Sequence, residues 1–201
     1  MPHVLVPVAR WERWVANFGA GHGGATLSVA DGALCGRAAD GSHFAARLPF
    51  GESYAGDPEA GAFAGSAVAP GEWGVLLVRK GGFAVARMRG TDLVEHKVGQ
   101  RHVQGRTKAG GQSQQRFARR RDNQARQAYE AAADHAARIL GDVPMASTGG
   151  DHAAVDAVLA DPRLAGLTVV EPWLPVPDPR RAVLDAAIAD TQAIRVDVVN
   201  A

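Results

Sequence analysis

GVLLVRKGGFAVARMR, residues 74–89, contains two apolar runs that are separated by Lys80-Gly81-Gly82. A short, almost continuous apolar run is typical of a strand that is buried on both faces of a sheet. The two glycines favour a turn between the runs, because they accept backbone conformations that side chains forbid. Residues 92–98 alternate apolar with charged or polar side chains and predict a third strand. Together the three segments predict a β-meander.

The chain after this meander alternates helical and strand patterns. A long helix is expected from Ser113, a good N-cap, to about Leu140. It is followed by a strand at 143–150, a helix at 151–160 begun by Asp151, a strand at 167–170 and a helix at 178–194 opened by Asp178-Pro179. This order indicates an α/β fold, in which a mixed β-sheet has flanking helices.

The first 48 residues have a different pattern. Trp11, Trp14, Val15 and Phe18 recur at helical spacing and predict an amphipathic helix over residues 8–18. Residues 25–48 consist of short apolar pieces separated by Asp-Gly turns, which predict two or three strands in hairpins.

A segment rich in glycine and proline, residues 49–71, indicates a loop or linker. We therefore expect two domains. Residues 1–70 would form an N-terminal helix with small strands, and residues 71–201 would contain the mixed sheet.

The basic residues are distributed unevenly, although the formal net charge of the 201-residue chain is only +1. Residues 101–121 contain seven Lys or Arg and no acidic residue, and the rest of the chain has 15 basic and 21 acidic residues. Such a segment favours binding to phosphate groups. A solvated charge run is the alternative interpretation.

Several classes of protein are disfavoured by composition. The chain has no apolar run long enough to span a membrane and no convincing signal peptide. Its single cysteine, Cys35, cannot form an internal disulfide. No spacing of metal-binding side chains stands out, so we expect no metal and no cofactor. The lack of an apolar span and of a convincing signal peptide leads us to expect no membrane partner and a cytoplasmic location.

The motif Gly110-Gly111-Gln112-Ser113 places an uncharged amide next to this basic segment. An amide donates and accepts hydrogen bonds, so the Gln112 side chain could hold a water or a hydroxyl group against a carbonyl without changing its protonation state. The cationic flank suits a polyanion. Together these features predict a glutamine that acts in an RNA-lined reaction centre.

The longer pattern Gly110-Gly111-Gln112-Ser113-x-x-Arg116-Phe117-Ala118-Arg119 closely resembles the glutamine loop of the eukaryotic and archaeal class I peptide-release factor. It is still more similar to the Vms/ANKZF family of release-factor-like proteins and its bacterial members, which act on peptidyl-tRNA held on large ribosomal subunits. The order of elements over residues 73–195 follows that catalytic domain as well. The resemblance implies a ribosome rescue factor whose catalytic domain is residues 71–201, with the glutamine loop at about 99–113.

The resemblance also implies roles for individual residues. Gln112 would be the catalytic residue, and Gly110 and Gly111 would permit its backbone geometry. Ser113, with Arg116 and Arg119, would hold the loop or contact rRNA and the tRNA acceptor end. The candidate RNA-binding residues are Arg106, Lys108, Arg116, Arg119, Arg120 and Arg121. The implied partners are the large ribosomal subunit and peptidyl-tRNA, bound by a monomer.

Three functions remain open at this point. The first is Gln-dependent hydrolysis of the ester that joins the peptide to tRNA. The second is cleavage of the tRNA strand near its 3′ end, which would release the peptide with a nucleotide stub. The sequence does not separate these two, because both need an amide at the acceptor end. The third is a non-catalytic protein that binds rRNA or tRNA through its arginines.

Overall fold

The computed structural model describes residues 3–100 and 129–201, which form two compact units. The first unit comprises Met1–Pro70 with Ile188–Ala201, and the second comprises Gly71–Ala187. The strands are β1 (His3–Val6), β2 (Ala25–Ala30), β3 (Ala33–Ala38), β4 (His43–Arg47), β5 (Glu72–Arg79), β6 (Gly82–Arg89), β7 (Asp92–Gln100), β8 (Met145–Gly150), β9 (Thr168–Leu174) and β10 (Ile194–Val199). The helices are α1 (Trp11–Gly21), α2 (Ala60–Gly65), α3 (described over 129–140), α4 (His152–Leu159) and α5 (Arg181–Thr191).

The first unit is built on an antiparallel sheet in the order β1-β10-β4-β3-β2. Its core contains Trp11 and Phe18 of α1, Phe44 of β4 and Phe63 of α2. Trp11 is fully buried, and its indole N–H donates to the carbonyl of Ala60. The predicted helix is confirmed, but it runs from Trp11 to Gly21 after a 3-10 turn at Val8–Arg10.

Residues 49–71, predicted as a loop or linker, contribute to this core. Tyr54 and Phe63 are buried and pack edge to face, with ring centroids 4.9 Å apart. Phe63 also contacts Trp11 at 5.3 Å. The sequence did not predict this burial, because the abundant glycine and proline of the segment indicated a loop. Burial of aromatic side chains supplies most of the favourable free energy of such a segment.

The second unit contains a mixed sheet in the order β7-β6-β5-β8-β9. β5 pairs antiparallel with β6 and parallel with β8. The strand with the nearly continuous apolar run is therefore the central strand of this sheet, as predicted. α3 and α4 supply Ala136, Leu140 and Val155 to the core on one face of this sheet. The predicted α/β class is confirmed.

Two boundaries near the C-terminus differ from the prediction. The last helix starts at Arg181 and not at Asp178, and its first hydrogen bond is accepted by the carbonyl of Arg180. Asp178 precedes a proline, which disfavours helical backbone there. Residues 188–201 were grouped with the mixed sheet, but β10 pairs between β1 and β4, which satisfies its backbone groups within the first sheet.

Candidate functional site

All residues that the sequence predicts as functional lie outside the residues that the structure describes. They are Arg106, Lys108, Gly110, Gly111, Gln112, Ser113, Arg116, Arg119, Arg120 and Arg121. The described residues that flank this segment are Gln100 and Tyr129.

Four strands of the second sheet end at the same edge. β5, β8 and β9 are parallel, and β7 runs in their direction because it is antiparallel to β6, which is antiparallel to β5. The last residues of these strands are Arg79, Gln100, Gly150 and Leu174. We call this the carboxyl edge. Open α/β sheets bind ligands at the carboxyl ends of their strands.

The chain leaves the sheet at this edge through a close contact between β6 and β7. Gln100 is opposite Gly82, and Gly99 is opposite Phe83. A Cβ at Gly82 would lie 2.4 Å from the carbonyl oxygen of Gly99, and a Cβ at Gly99 would lie 2.2 Å from the ring of Phe83. Both positions therefore require glycine for the strands to approach this closely.

The chain returns through α3 at the same edge. His135 of α3 stacks on Phe83, with ring centroids 5.4 Å apart and an interplanar angle of 26°. Burial raises the pKa of the Tyr129 hydroxyl, and the nearby negative charge of Asp151 adds to the rise. Asp151 directly follows β8, so the start of described α3 lies beside the carboxyl edge.

The N-terminus of α4 is fixed to the same edge. The Asp151 side chain accepts a hydrogen bond from the backbone N–H of Ala154, as an N-cap does. The backbone N–H of Asp151 donates to the carbonyl of Val78 at 2.9 Å. Gly150 has a φ of +105°, and a Cβ there would lie 2.3 Å from the Val78 carbonyl oxygen. This glycine allows the chain to turn sharply from β8 into α4. The prediction that Asp151 begins this helix as its cap is confirmed.

Side chains that the sequence did not single out also occupy this edge. The Arg79 guanidinium donates to the carbonyl of Val176 at 2.7 Å and lies 3.8 Å from the carboxylate of Asp178. Its side chain remains 42% exposed, so the edge carries a positioned cation. The signal in the sequence was an arginine directly after the apolar run of residues 74–78.

An aromatic pair lies close to the same edge. The His152 ring, at the start of α4, stacks on Trp173 of β9 with centroids 3.6 Å apart. Within residues 3–100 and 129–201, no three His, Cys, Asp or Glu side chains are grouped so that they could bind a metal ion. None of the helices in that part of the chain is both long and apolar enough to cross a membrane.

Comparison with known proteins identifies a family and a similarity to solved structures. The family model described as "Actinobacteria/chloroflexi VLRF1 release factor" (acVLRF1) matches residues 71–197. The crystal structure of Archaeoglobus fulgidus Pelota matches with 10% sequence identity and a TM-score of 0.25, over 94% of this chain and 64% of that chain. The chain thus spans less than two thirds of the length of that protein. No curated protein matches the sequence.

Proposed function

The chain belongs to the VLRF1 release-factor family of Actinobacteria and Chloroflexi, and from this premise we propose that it releases nascent peptides from peptidyl-tRNA. The family supports a release-factor-like role in ribosome rescue. In our proposal the substrate is held on a stalled or split large ribosomal subunit. Gln112 promotes hydrolysis of the ester bond between the peptide and the tRNA.

The observation that carries the proposal is the Gly110-Gly111-Gln112-Ser113 motif within a chain segment whose two flanks are tied to one sheet edge. Gln100 is anchored by β6, and α3 is anchored by Phe83 through His135. A segment held at both ends on a rigid sheet can present a reactive side chain away from the body of the unit. This arrangement suits delivery of Gln112 to a substrate that another particle holds.

The proposed reaction needs no ionisable group on the segment. Water attacks the ester carbonyl carbon, the bond to the tRNA 3′ oxygen breaks, and one proton of the water passes to that oxygen to form the tRNA hydroxyl group. The other product is the peptide carboxylate, and the remaining proton is released to solvent. The Gln112 amide orients the water, and its donors stabilise the charge that develops on the carbonyl oxygen. One donor of this kind contributes about 3–4 kcal/mol. Proximity to the bound ester lowers the barrier further.

The basic residues of the segment would position it on RNA. Arg106, Lys108, Arg116, Arg119, Arg120 and Arg121 would contact rRNA or the tRNA acceptor end. Such phosphate contacts fix orientation and make affinity depend on salt. We further propose that the protein acts as a monomer in the cytoplasm, without a cofactor, because its partners are ribosomal particles.

The test uses large ribosomal subunits that carry a labelled peptidyl-tRNA. We expect the wild-type protein to release the peptide and to leave a full-length tRNA. Gln112→Ala is expected to release it at least about 100-fold more slowly, which is the effect of removing one oxyanion donor. Gln114→Ala, which removes an amide two residues away, is the matched control and should retain activity.

The alternatives correspond to other outcomes of this assay. A shortened tRNA, with a nucleotide stub on the peptide, would show that the reaction is endonucleolytic cleavage and not ester hydrolysis. Binding without release by any variant would leave a non-catalytic RNA-binding protein. Equal release by wild type and Gln112→Ala would remove Gln112 from the mechanism.

A further inference from the structure

The sheet of the first unit has one face that its helices do not cover. Residues that are directly opposite in an antiparallel sheet share a face. His43 and Arg47 lie on the same side of β4, so the pairs Arg37–His43 and Arg47–Arg195 share one face of the sheet. Asp197 lies on this face as well, and so does His3, which is directly opposite Asp197. We call the face with His3, Arg37, His43, Arg47 and Arg195 the basic face.

The opposite face carries the core. Leu34, Phe44, Ala46, Ile194 and Val196 are buried there with the aromatic residues of α1 and α2. On the basic face, by contrast, the Arg47 side chain is 49% exposed and that of Arg195 is 39% exposed. Arg37 and His43 are exposed as well. The cations are therefore accessible.

The basic face is electrostatically unfavourable for the protein alone. Arg47 and Arg195 are direct cross-strand neighbours, and like charges in that position destabilise a sheet. Asp197 lies 2.8 Å from Arg47 but 4.0 Å from Arg195, so one carboxylate serves two guanidinium groups unequally. The Nε of Arg195 is buried and has no hydrogen-bond partner among the described residues.

The second basic pair has no carboxylate of this kind. Arg37 lies directly opposite His43. Within the described part of the chain, Arg37 forms no ion pair, and the His43 ring contacts the carbonyl of Gly41. The face thus retains the destabilising Arg47–Arg195 pair and a third arginine, Arg37, and such conflicts mark functional surfaces.

The cations are concentrated on this face although the unit as a whole is acidic. Met1–Pro70 and Ile188–Ala201 contain five Arg and Lys and eight Asp and Glu. Three of the five basic residues lie on the basic face, where Asp197 is the acidic neighbour. Three arginines thus share this face with one carboxylate, so the face is suited to an anionic partner.

We propose that the basic face binds the phosphodiester backbone of RNA and is a second RNA contact, separate from the segment that carries Gln112. This inference rests on the proposed function, which places the protein on ribosomal particles. The His43 and Arg47 positions are four residues apart on β4, about 14 Å at the rise of a strand. The two pairs can therefore engage separate phosphates along one backbone.

The surface between the pairs favours RNA over a protein partner. Asp197, Ala45 and Cys35 share the row between the two pairs, so this row has no large apolar side chain. Protein interfaces depend on buried aromatic and aliphatic anchors at their centre. Arginine, which donates in a planar fork, matches phosphate oxygens.

The experiment measures binding of the full chain to a fluorescein-labelled RNA duplex of about 20 base pairs by fluorescence anisotropy at several salt concentrations. It is done in the Arg119→Gln/Arg120→Gln/Arg121→Gln background, which weakens the other contact. Arg37→Gln/Arg47→Gln is expected to weaken binding about 10-fold and to reduce the slope of log affinity against log salt by about 2, close to 0.9 for each lost contact.

Matched controls keep the result interpretable. Arg10→Gln/Arg13→Gln removes two exposed charges from the helical side of the same unit and should change affinity less than about twofold. Arg37→Lys/Arg47→Lys keeps the charge and should keep the salt slope, which makes the test possible even if the glutamine variant is poorly folded.

Three results would overturn the proposal. One is an unchanged affinity and slope for Arg37→Gln/Arg47→Gln, and another is an equal loss for the Arg10/Arg13 control. The third is displacement of the RNA by a polyglutamate peptide of equal charge, which would assign the face to acidic proteins. The peptide-release assay measures ester cleavage and not RNA binding by the basic face. If Gln112→Ala loses release but binds RNA as wild type does, the proposed function and the RNA contact of the basic face are tested separately.

Discussion

Phe83 of β6 lies directly against Gly99 of β7, with so little space that a Cβ on Gly99 would lie 2.2 Å from the ring. The same ring stacks on His135 of α3. Phe83 thus contacts elements on both sides of the segment that carries Gln112. Phe83 therefore connects the end of β7 to α3 by direct contacts.

Gly99→Ala is expected to destabilise the second unit by about 1–3 kcal/mol, because the added methyl group forces the buried Phe83 ring from its place. Urea unfolding followed by circular dichroism measures this change. Peptide release should also fall, since both flanks of the segment would move. The control is Gly166→Ala, because a Cβ there meets no atom within 4 Å. Equal unfolding midpoints for the two variants would contradict the packing described here.

Asp151→Ala is expected to destabilise the second unit by about 1 kcal/mol, the usual effect of losing an N-cap. The reason is that the Asp151 carboxylate accepts from the N–H of Ala154 at the start of α4. Asp151→Asn keeps an acceptor and should retain most of the stability. Thermal unfolding of the three proteins provides the comparison, and a cap role is excluded if the asparagine variant is as unstable as the alanine variant.

Asp161 should make stability depend on acidic pH. Hydrogen bonds from the Arg163 side chain, and then from its backbone N–H, lower the pKa of the Asp161 carboxyl to about 2 from an ordinary value of 3.8. A lowered pKa contributes stability that is fully present above 3.8 and is lost as the pH falls towards 2. Asp161→Asn should therefore be less stable than wild type at pH 6, with a gap that closes over this range.

Urea unfolding at a series of pH values measures that gap. Asp142→Asn is the control, because Asp142 is exposed and forms no ion pair within residues 3–100 and 129–201. It should differ little from wild type at any pH. A gap for Asp161→Asn that stays constant from pH 6 to about pH 2 would show that the carboxylate charge has no part in the effect.

Phe63→Ala is expected to destabilise the first unit by about 3–5 kcal/mol, because it leaves a cavity between Trp11 and Tyr54. Val68→Ala changes a side chain of the same segment that is 69% exposed, and its effect should stay within about 0.5 kcal/mol. Tryptophan fluorescence during urea unfolding distinguishes the two. Similar unfolding midpoints for the two variants would contradict a core role for Phe63 and would support a linker at residues 49–71.

The sequence predicted well where local patterns are sufficient. The meander at residues 74–98 was evident because apolar runs and a Gly-Gly turn specify strands without reference to the rest of the chain. The aromatic spacing around Trp11 and Trp14 indicated a helix for the same reason. The family model matches residues 71–197, which include this meander.

The sequence predicted poorly where distant segments meet. Nothing local shows that Phe63 enters a core, because its neighbours are glycine and alanine. Residues 194–199 pair with β1 and β4 from the other end of the chain. Gln112 and the arginines around it lie outside the described residues, so their roles stay predictions.

The sequence by itself determined the α/β class, the catalytic candidate Gln112 and the basic segment around it, since each depends on residue type and spacing along the chain. Only the tertiary structure placed Arg47 opposite Arg195 and brought Gly99 and His135 to the same phenylalanine ring. Strand register and helix packing depend on contacts between distant residues, and those contacts have no local signature from which they could be predicted.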